Sequence, residues 1–154
     1  VNKISNLIKK IDYDLYVETV FYAQKNSIWD KQLKWILSKN TKTKTVKEIL
    51  DLLKDKNIIH VKKQTKSVFK GSPDIIKILK KQKIEELHIV GFDTNDCVLA
   101  TAYEAFDLNF FTYAIEECTE SSEGKAIGEA GLKILKHVNL TNNSCVEKIN
   151  FINI

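Results

Sequence analysis

Cys97 stands where a short apolar run, Leu87 to Gly91, gives way to a helical pattern in which Val98, Ala102, Ala105 and Phe106 recur at three- and four-residue spacing. That junction can turn an ordinary thiol into a nucleophile. A cysteine in the first turn of a helix faces unpaired backbone N–H groups and the positive end of the macrodipole, and both favour thiolate over thiol. Thr94, Asn95 and Asp96, all natural N-cap residues, lead into it. Position alone leaves a second reading open, that of a small buried hydrophobe, because free cysteines are so often interior. Lys63 is the other group of chemical interest, at the end of the β-branched run Asn57 to Lys63. In a parallel sheet the working groups gather at the carboxyl ends of the strands, and Lys63 and Cys97 would share that edge.

The elements that must position these two groups follow from periodicity. Val1 to Lys10 reads as an amphipathic helix with Ile4, Leu7, Ile8 and Ile11 on its apolar face. Leu15 to Tyr22 reads as a strand. Ser27 opens a short helix carrying Ile28, Trp29, Leu33, Trp35 and Ile36, and Val46 to Leu53 forms another. Ser72-Pro73-Asp74 is a helix start with a capping residue and a proline in the first turn. The helix from Cys97 closes near Asn109, a residue tolerated in the left-handed conformation. Phe110 to Ile115 is a strand, Gly124 to His137 a helix, and Val146 to Ile152 an edge strand. Alternating strands and helices predict a mostly parallel, Rossmann-like sheet with helices on both faces, a three-layer α/β/α architecture in one domain spanning residues 1–154.

Composition narrows the function classes. All 24 basic residues are lysine, so the bidentate clamp that arginine offers phosphates, carboxylates and guanine edges is missing, and nucleic acid is not an expected partner. Residues 1–83 hold 20 lysines against 8 acids, and residues 84–154 hold 4 against 12. The lysines are spread over several elements, so the split reads as solvated surfaces. No tract resembles a membrane span or a signal peptide. Three cysteines at irregular spacing make neither a disulfide framework nor a zinc pattern, which fits a reducing compartment and an expected cytoplasmic location. There is no methionine, and the first residue already lies inside a helical pattern, so the chain is expected to lack its native N-terminus. No GxGxxG follows a strand, which sets a dinucleotide binder aside.

The segment Gly91-Phe92-Asp93-Thr94-Asn95-Asp96-Cys97-Val98-Leu99-Ala100-Thr101-Ala102 resembles the strand, turn and nucleophile-bearing helix of the isochorismatase-like cysteine hydrolases, which include nicotinamidases and N-carbamoylsarcosine amidohydrolases. Lys63-Gln64-Thr65-Lys66-Ser67-Val68-Phe69 resembles the same family's lysine followed four residues later by Ser-Ala-Phe. The resemblance covers nearly the whole chain. It implies that Cys97 is the nucleophile and Lys63 the catalytic lysine, with Lys62 and Lys66 as solvated charges. It also implies a cis peptide at Phe92–Asp93, which would aim the backbone N–H groups of Asp93 and Cys97 at an oxyanion. The Asp93 side chain reads as a solvated turn residue. Phe69, Phe21, Trp29 and Asn26 are candidates for the pocket wall, with the core as the competing place for each aromatic.

The implied reaction is hydrolysis of a small amide or carbamoyl C–N bond through a thioester, with no cofactor. The family's third catalytic residue, an aspartate ending the first, central strand, has no counterpart here, and that strand is expected to be missing. Asp12 and Asp14 precede the Leu15–Tyr22 strand, which places them about 20 Å from the active edge at about 3.3 Å per residue. The metal-binding Asp-x-His pair of nicotinamidases is also absent, since Thr19 to Gln24 occupies that region. His60 and His88 read as satisfied core residues, His137 as a helix-end cation, and Cys118 and Cys145 as structural. Glycines 124, 128 and 131 read as close-packing positions in a helix. Two alternatives remain: a non-catalytic module of the same fold, and vinyl-ether hydrolysis, which suits a dicarboxylate poorly in a chain without arginine. The resemblance leaves homo-oligomer formation open.

Overall fold

The computed structural model describes residues 1–23, 25–33 and 44–142. The Val146–Ile152 strand, Cys145, Gln24 and the continuation of the second helix through Trp35 and Ile36 lie outside the described residues.

Helix α1 (Asn2–Lys10) buries Leu7 and Ile8, the two residues central to its apolar stripe. The chain then turns into β1 (Tyr16–Phe21), and the Tyr16 hydroxyl donates to the carbonyl of Ile11 at 3.0 Å across that turn. Helices α2 (Ile28–Leu33) and α3 (Lys47–Leu53) follow, and β2 (Ile58–Lys63) pairs parallel with β1 from Tyr16↔Ile58 to Phe21↔Lys63. The last pair matters most. It sets Phe21 beside Lys63 at the carboxyl edge.

Helix α4 (Ile75–Lys81) is capped by Asp74, which accepts from the Lys77 N–H, whereas Pro73 precedes the cap and follows a cis peptide bond. The expected start is therefore real but one step later, with proline outside the first turn. The Lys77 side chain and then its backbone N–H hold the Asp74 carboxyl below its usual range. That interaction is present above the ordinary carboxylate range and is lost as pH falls through the lowered value.

β3 (Glu86–Phe92) and β4 (Phe111–Glu120) pair parallel, and β5 (Thr141–Asn142) adds parallel to β4. The register between β3 and β4 shifts between Ile89 and Gly91, and Gly91 takes φ 110°, a region that favours glycine. Strand β4 outruns its expected end at Ile115 because Glu116 pairs with Lys136 at 2.6 Å and Cys118 is buried with Leu7, Ile11 and Ile115, so an acidic-looking run stays in the sheet. The short β5 carries too little periodicity to read in advance.

Apart from an isolated antiparallel bridge between Lys62 and Ser72, the described pairings are parallel and fall in two groups, β1–β2 and β3–β4–β5, so no hydrogen-bonded ladder joins β1 to β3 among the described residues. Helices α1 and α3 cover one face through Leu7, Ile8, Ile49 and Leu53. Helices α4, α5 (Leu99–Asp107) and α6 (Lys125–His137) cover the other through Ile75, Leu79, Ala102, Ala105 and Leu135. This is the expected three-layer α/β/α architecture with a mostly parallel sheet. Asn109 ends α5 with φ 69°, as its residue type foretells. No described helix is long and apolar enough to cross a membrane.

Candidate active site

The Phe92–Asp93 peptide is cis, as the resemblance implies. After it the chain enters a wide turn, Thr94–Val98, before α5 begins. The Asp93 carbonyl accepts from the N–H of Asp96 and from that of Val98, each at 3.0 Å, the amides on either side of Cys97, and neither bond draws on the Cys97 N–H. An i→i+5 bond of this kind makes a π turn, a local widening found mostly at functional positions. Cys97 itself is half-buried. Beneath it, the Thr94 hydroxyl oxygen and the Asn95 amide oxygen are buried without a hydrogen-bond partner among the described residues.

The Asp93 side chain departs from its expected solvated role. Its two carboxylate oxygens accept from the Ser122 backbone N–H at 2.7 Å and from the Ser122 hydroxyl at 3.0 Å, tying the turn before Cys97 to the loop after β4. Asn95 reaches the same loop by donating to Glu123 at 3.3 Å. Hydrogen bonds to a charged acceptor contribute about 1.5–3 kcal/mol. Asp93→Ala should therefore loosen residues 121–124, an outcome read as faster backbone amide exchange in that loop, with α4 exchange unchanged. Unaltered exchange at Ser122 would count against the tether.

Lys63 is only 5% exposed, and its ammonium donates to the carbonyls of Thr65 and Lys66. It also lies 5.8 Å from the centroid of the Phe21 ring, its partner in the ladder. Phe21 in turn meets Trp29 edge-on at 4.7 Å between centroids, and the Trp29 indole N–H donates to the Gln64 carbonyl. Lys66 lies over Trp29 at 5.2 Å and pairs with Asp96, next to Cys97. A continuous set of contacts thus runs from Lys63 through Phe21, Trp29 and Lys66 to the Cys97 turn.

Two of the sequence candidates fall outside that set. Phe69 is buried among Val61, Ile75, Leu79 and Ala105 and stacks on Phe110 at 6.2 Å, which is the core reading of that ring. Asn26 is an exposed turn residue with φ 66°, whose N–H donates to Asp30 at 2.9 Å. Lys62 is exposed, as expected of a solvated charge, but Lys66 is paired. Sequence gave no signal for Lys66–Asp96, because an ion pair between residues so far apart in the chain depends on how the crossover folds.

The histidines divide. The His88 side chain is buried, with Nδ1 at 2.9 Å from the Tyr13 hydroxyl and Nε2 at 2.8 Å from Glu86, a satisfied interior residue. His60 is exposed on β2 and pairs with Glu18 at 2.9 Å, so it is a surface cross-strand partner and not a core residue. Among the described residues no three His, Cys, Asp or Glu side chains converge as a metal ligand set. Asp12 pairs with Lys56 at 2.7 Å, and the Asp14 carbonyl accepts from Asn57, both before the amino end of β1.

The sequence profile of the isochorismatase domain matches residues 1–144. The chain belongs to the isochorismatase family. An isochorismatase-like hydrolase from Alkaliphilus metalliredigens superposes with a TM-score of 0.75 at 21% identity, covering 96% of this chain and 80% of its own. The pyrazinamidase/nicotinamidase of Streptococcus mutans gives 0.73 at 20%, covering 91% and 82%. The pyrazinamidase of Pyrococcus horikoshii, solved in complex with zinc, gives 0.70 at 24%, covering 89% and 80%. Identities this low establish a shared fold. No curated protein sequence matches the chain.

Proposed function

We propose that this protein hydrolyses a small amide or carbamoyl-type C–N bond through a covalent thioester, with Cys97 as nucleophile and Lys63 as the catalytic lysine. The observation that carries the reading is the set of contacts that links the buried Lys63 ammonium, through Phe21, Trp29 and Lys66, to the turn bearing Cys97. In the reaction, the Cys97 sulfur attacks the carbonyl carbon and the carbonyl oxygen takes up the negative charge. Backbone N–H groups of Asp93 and Cys97 receive that oxyanion, each such donor being worth about 10²–10³ in rate. Collapse of the tetrahedral adduct breaks the C–N bond, the amine leaves with a proton, and water then cleaves the thioester to release the acid and the thiol. Phe21 and Trp29 would form the aromatic wall on which a planar substrate rests.

Proton traffic in this scheme calls for a carboxylate near Lys63, and no described carboxylate is hydrogen-bonded to its ammonium. β1 and β3 share no ladder among the described residues, and the reading places that carboxylate in the space between them. Nicotinamide and pyrazinamide, the amides behind the names of two of the relatives, are the first probes.

Thiol reactivity tests the nucleophile without requiring turnover. Iodoacetamide at a sub-stoichiometric dose near neutral pH, followed by peptide mapping, should label Cys97 ahead of Cys118 and Cys145. Preferential labelling of either of the others in folded protein would leave the chain as a non-catalytic module of the family.

A further inference from the structure

Lys63 ends β2 and the turn carrying Cys97 follows β3, strands of different groups that no β-ladder joins among the described residues, so other contacts hold the loop after Lys63 against that turn. Three contacts run in step along the seam. Lys66 pairs with Asp96, the Val68 N–H donates to the Thr101 hydroxyl at 3.3 Å, and Lys70 pairs with Glu104 at 3.0 Å. The first is special because Lys66 touches both sides of the proposed chemistry. Its carbonyl accepts from the Lys63 ammonium, and its own ammonium meets the carboxylate of the residue that precedes Cys97.

We propose that Lys66 is a positioning residue for this site: it fixes the Lys63 loop against the Cys97 turn and neutralises the Asp96 carboxylate that would otherwise oppose thiolate formation. The inference rests on the reading of Cys97 as nucleophile. Like charges in proximity disfavour each other's charged forms, and the Asp96 carboxylate is carried by the residue next to Cys97 in the π turn. The Lys66 and Asp96 side chains are 49% and 23% exposed, so the pair adds little to global stability, and its effect is local and electrostatic. Lys66 is further held over the Trp29 ring, which restricts where its ammonium can go. Lys70 repeats the loop-to-helix pairing at Glu104, farther along the helix from Cys97, and serves as the internal control.

The test is the rate of Cys97 alkylation by iodoacetamide at fixed pH and low ionic strength, read by peptide mapping, with thermal unfolding measured alongside. Lys66→Met should slow the reaction about threefold to tenfold, the size expected for one uncompensated charge in a partly solvated setting. Lys66→Arg should keep the parent rate, and Lys70→Met should leave it unchanged. Adding Asp96→Asn to Lys66→Met should restore the rate, which a packing role for Lys66 would not do. A Lys66→Met rate equal to that of the parent, or a loss that Asp96→Asn does not repair, overturns the proposal. Labelling of Cys118 or Cys145 ahead of Cys97 in the parent chain overturns the nucleophile reading instead.

Discussion

Replacing Cys97 by alanine should abolish amide turnover, with a loss of about 10⁴–10⁶-fold, because the proposed mechanism makes its sulfur the atom that carries the acyl group. Lys63→Met should lower turnover by about 10²–10⁴-fold, the usual range for a group that manages charge or protons in the transition state. The two losses differ in kind. On the proposed mechanism Cys97→Ala removes the bond-forming atom, whereas Lys63→Met leaves the thiol in place and strips two carbonyls, Thr65 and Lys66, of their shared donor. That second effect should also lower stability, by less than the about 1–3 kcal/mol of a fully buried unpaired group, since both bonds are only partly buried. Initial rates with a responsive amide give the activities. Intact-mass measurement on a slow ester separates the roles: an acyl adduct should form on the parent and more slowly on Lys63→Met, and never on Cys97→Ala. Retention of more than about 1% of the parent rate by Cys97→Ala would sink the covalent mechanism, since far larger losses follow when a nucleophile is removed.

The chain around Cys97 was legible because its structure is local. The strand that runs through Gly91 and the helical spacing beyond Cys97 lie within one stretch of chain, and periodicity reads such stretches well, whereas Thr94, Asn95 and Asp96 do not cap the helix and lie inside the π turn. That Lys63 ends one parallel strand and Cys97 follows the end of another was readable from the strand pattern. What escaped is non-local. Asp93 reads as a solvated turn residue because turn preference is a property of the residue type, while its grip on Ser122 depends on where the loop after β4 arrives. His60 lies in a run, Asn57 to Lys63, whose apolar neighbours hide that its own side of β2 faces solvent and Glu18. The acidic tail of β4 failed the same way, since Lys136 and α1, both distant in sequence, decide whether Glu116 and Cys118 remain in the sheet.

The glycines of α6 give the second large effect, and one of them bears directly on Cys97. A Cβ on Gly131 would sit 2.8 Å from the Asn95 Cα, 2.9 Å from its nitrogen and 3.1 Å from the Thr94 carbonyl carbon, all of them backbone atoms of the Cys97 turn. At Gly128 the nearest atom is the Ser121 Cβ at 3.1 Å, on a loop that can give way. Helix propensity alone favours alanine at both positions by about 1 kcal/mol. Overpacking against a backbone that cannot rotate aside costs about 1–3 kcal/mol, so it overrides that gain at Gly131 and does not at Gly128. Gly131→Ala should therefore destabilise the protein by up to about 2 kcal/mol net, read by urea unfolding, while Gly128→Ala should be neutral or slightly stabilising. Because the displaced atoms belong to the turn that orients the thiol, Gly131→Ala should also change the Cys97 alkylation rate, and Gly128→Ala should not. If Gly131→Ala proves as stable as propensity predicts, α6 does not press on the Cys97 turn, and some other contact must hold the nucleophile in place.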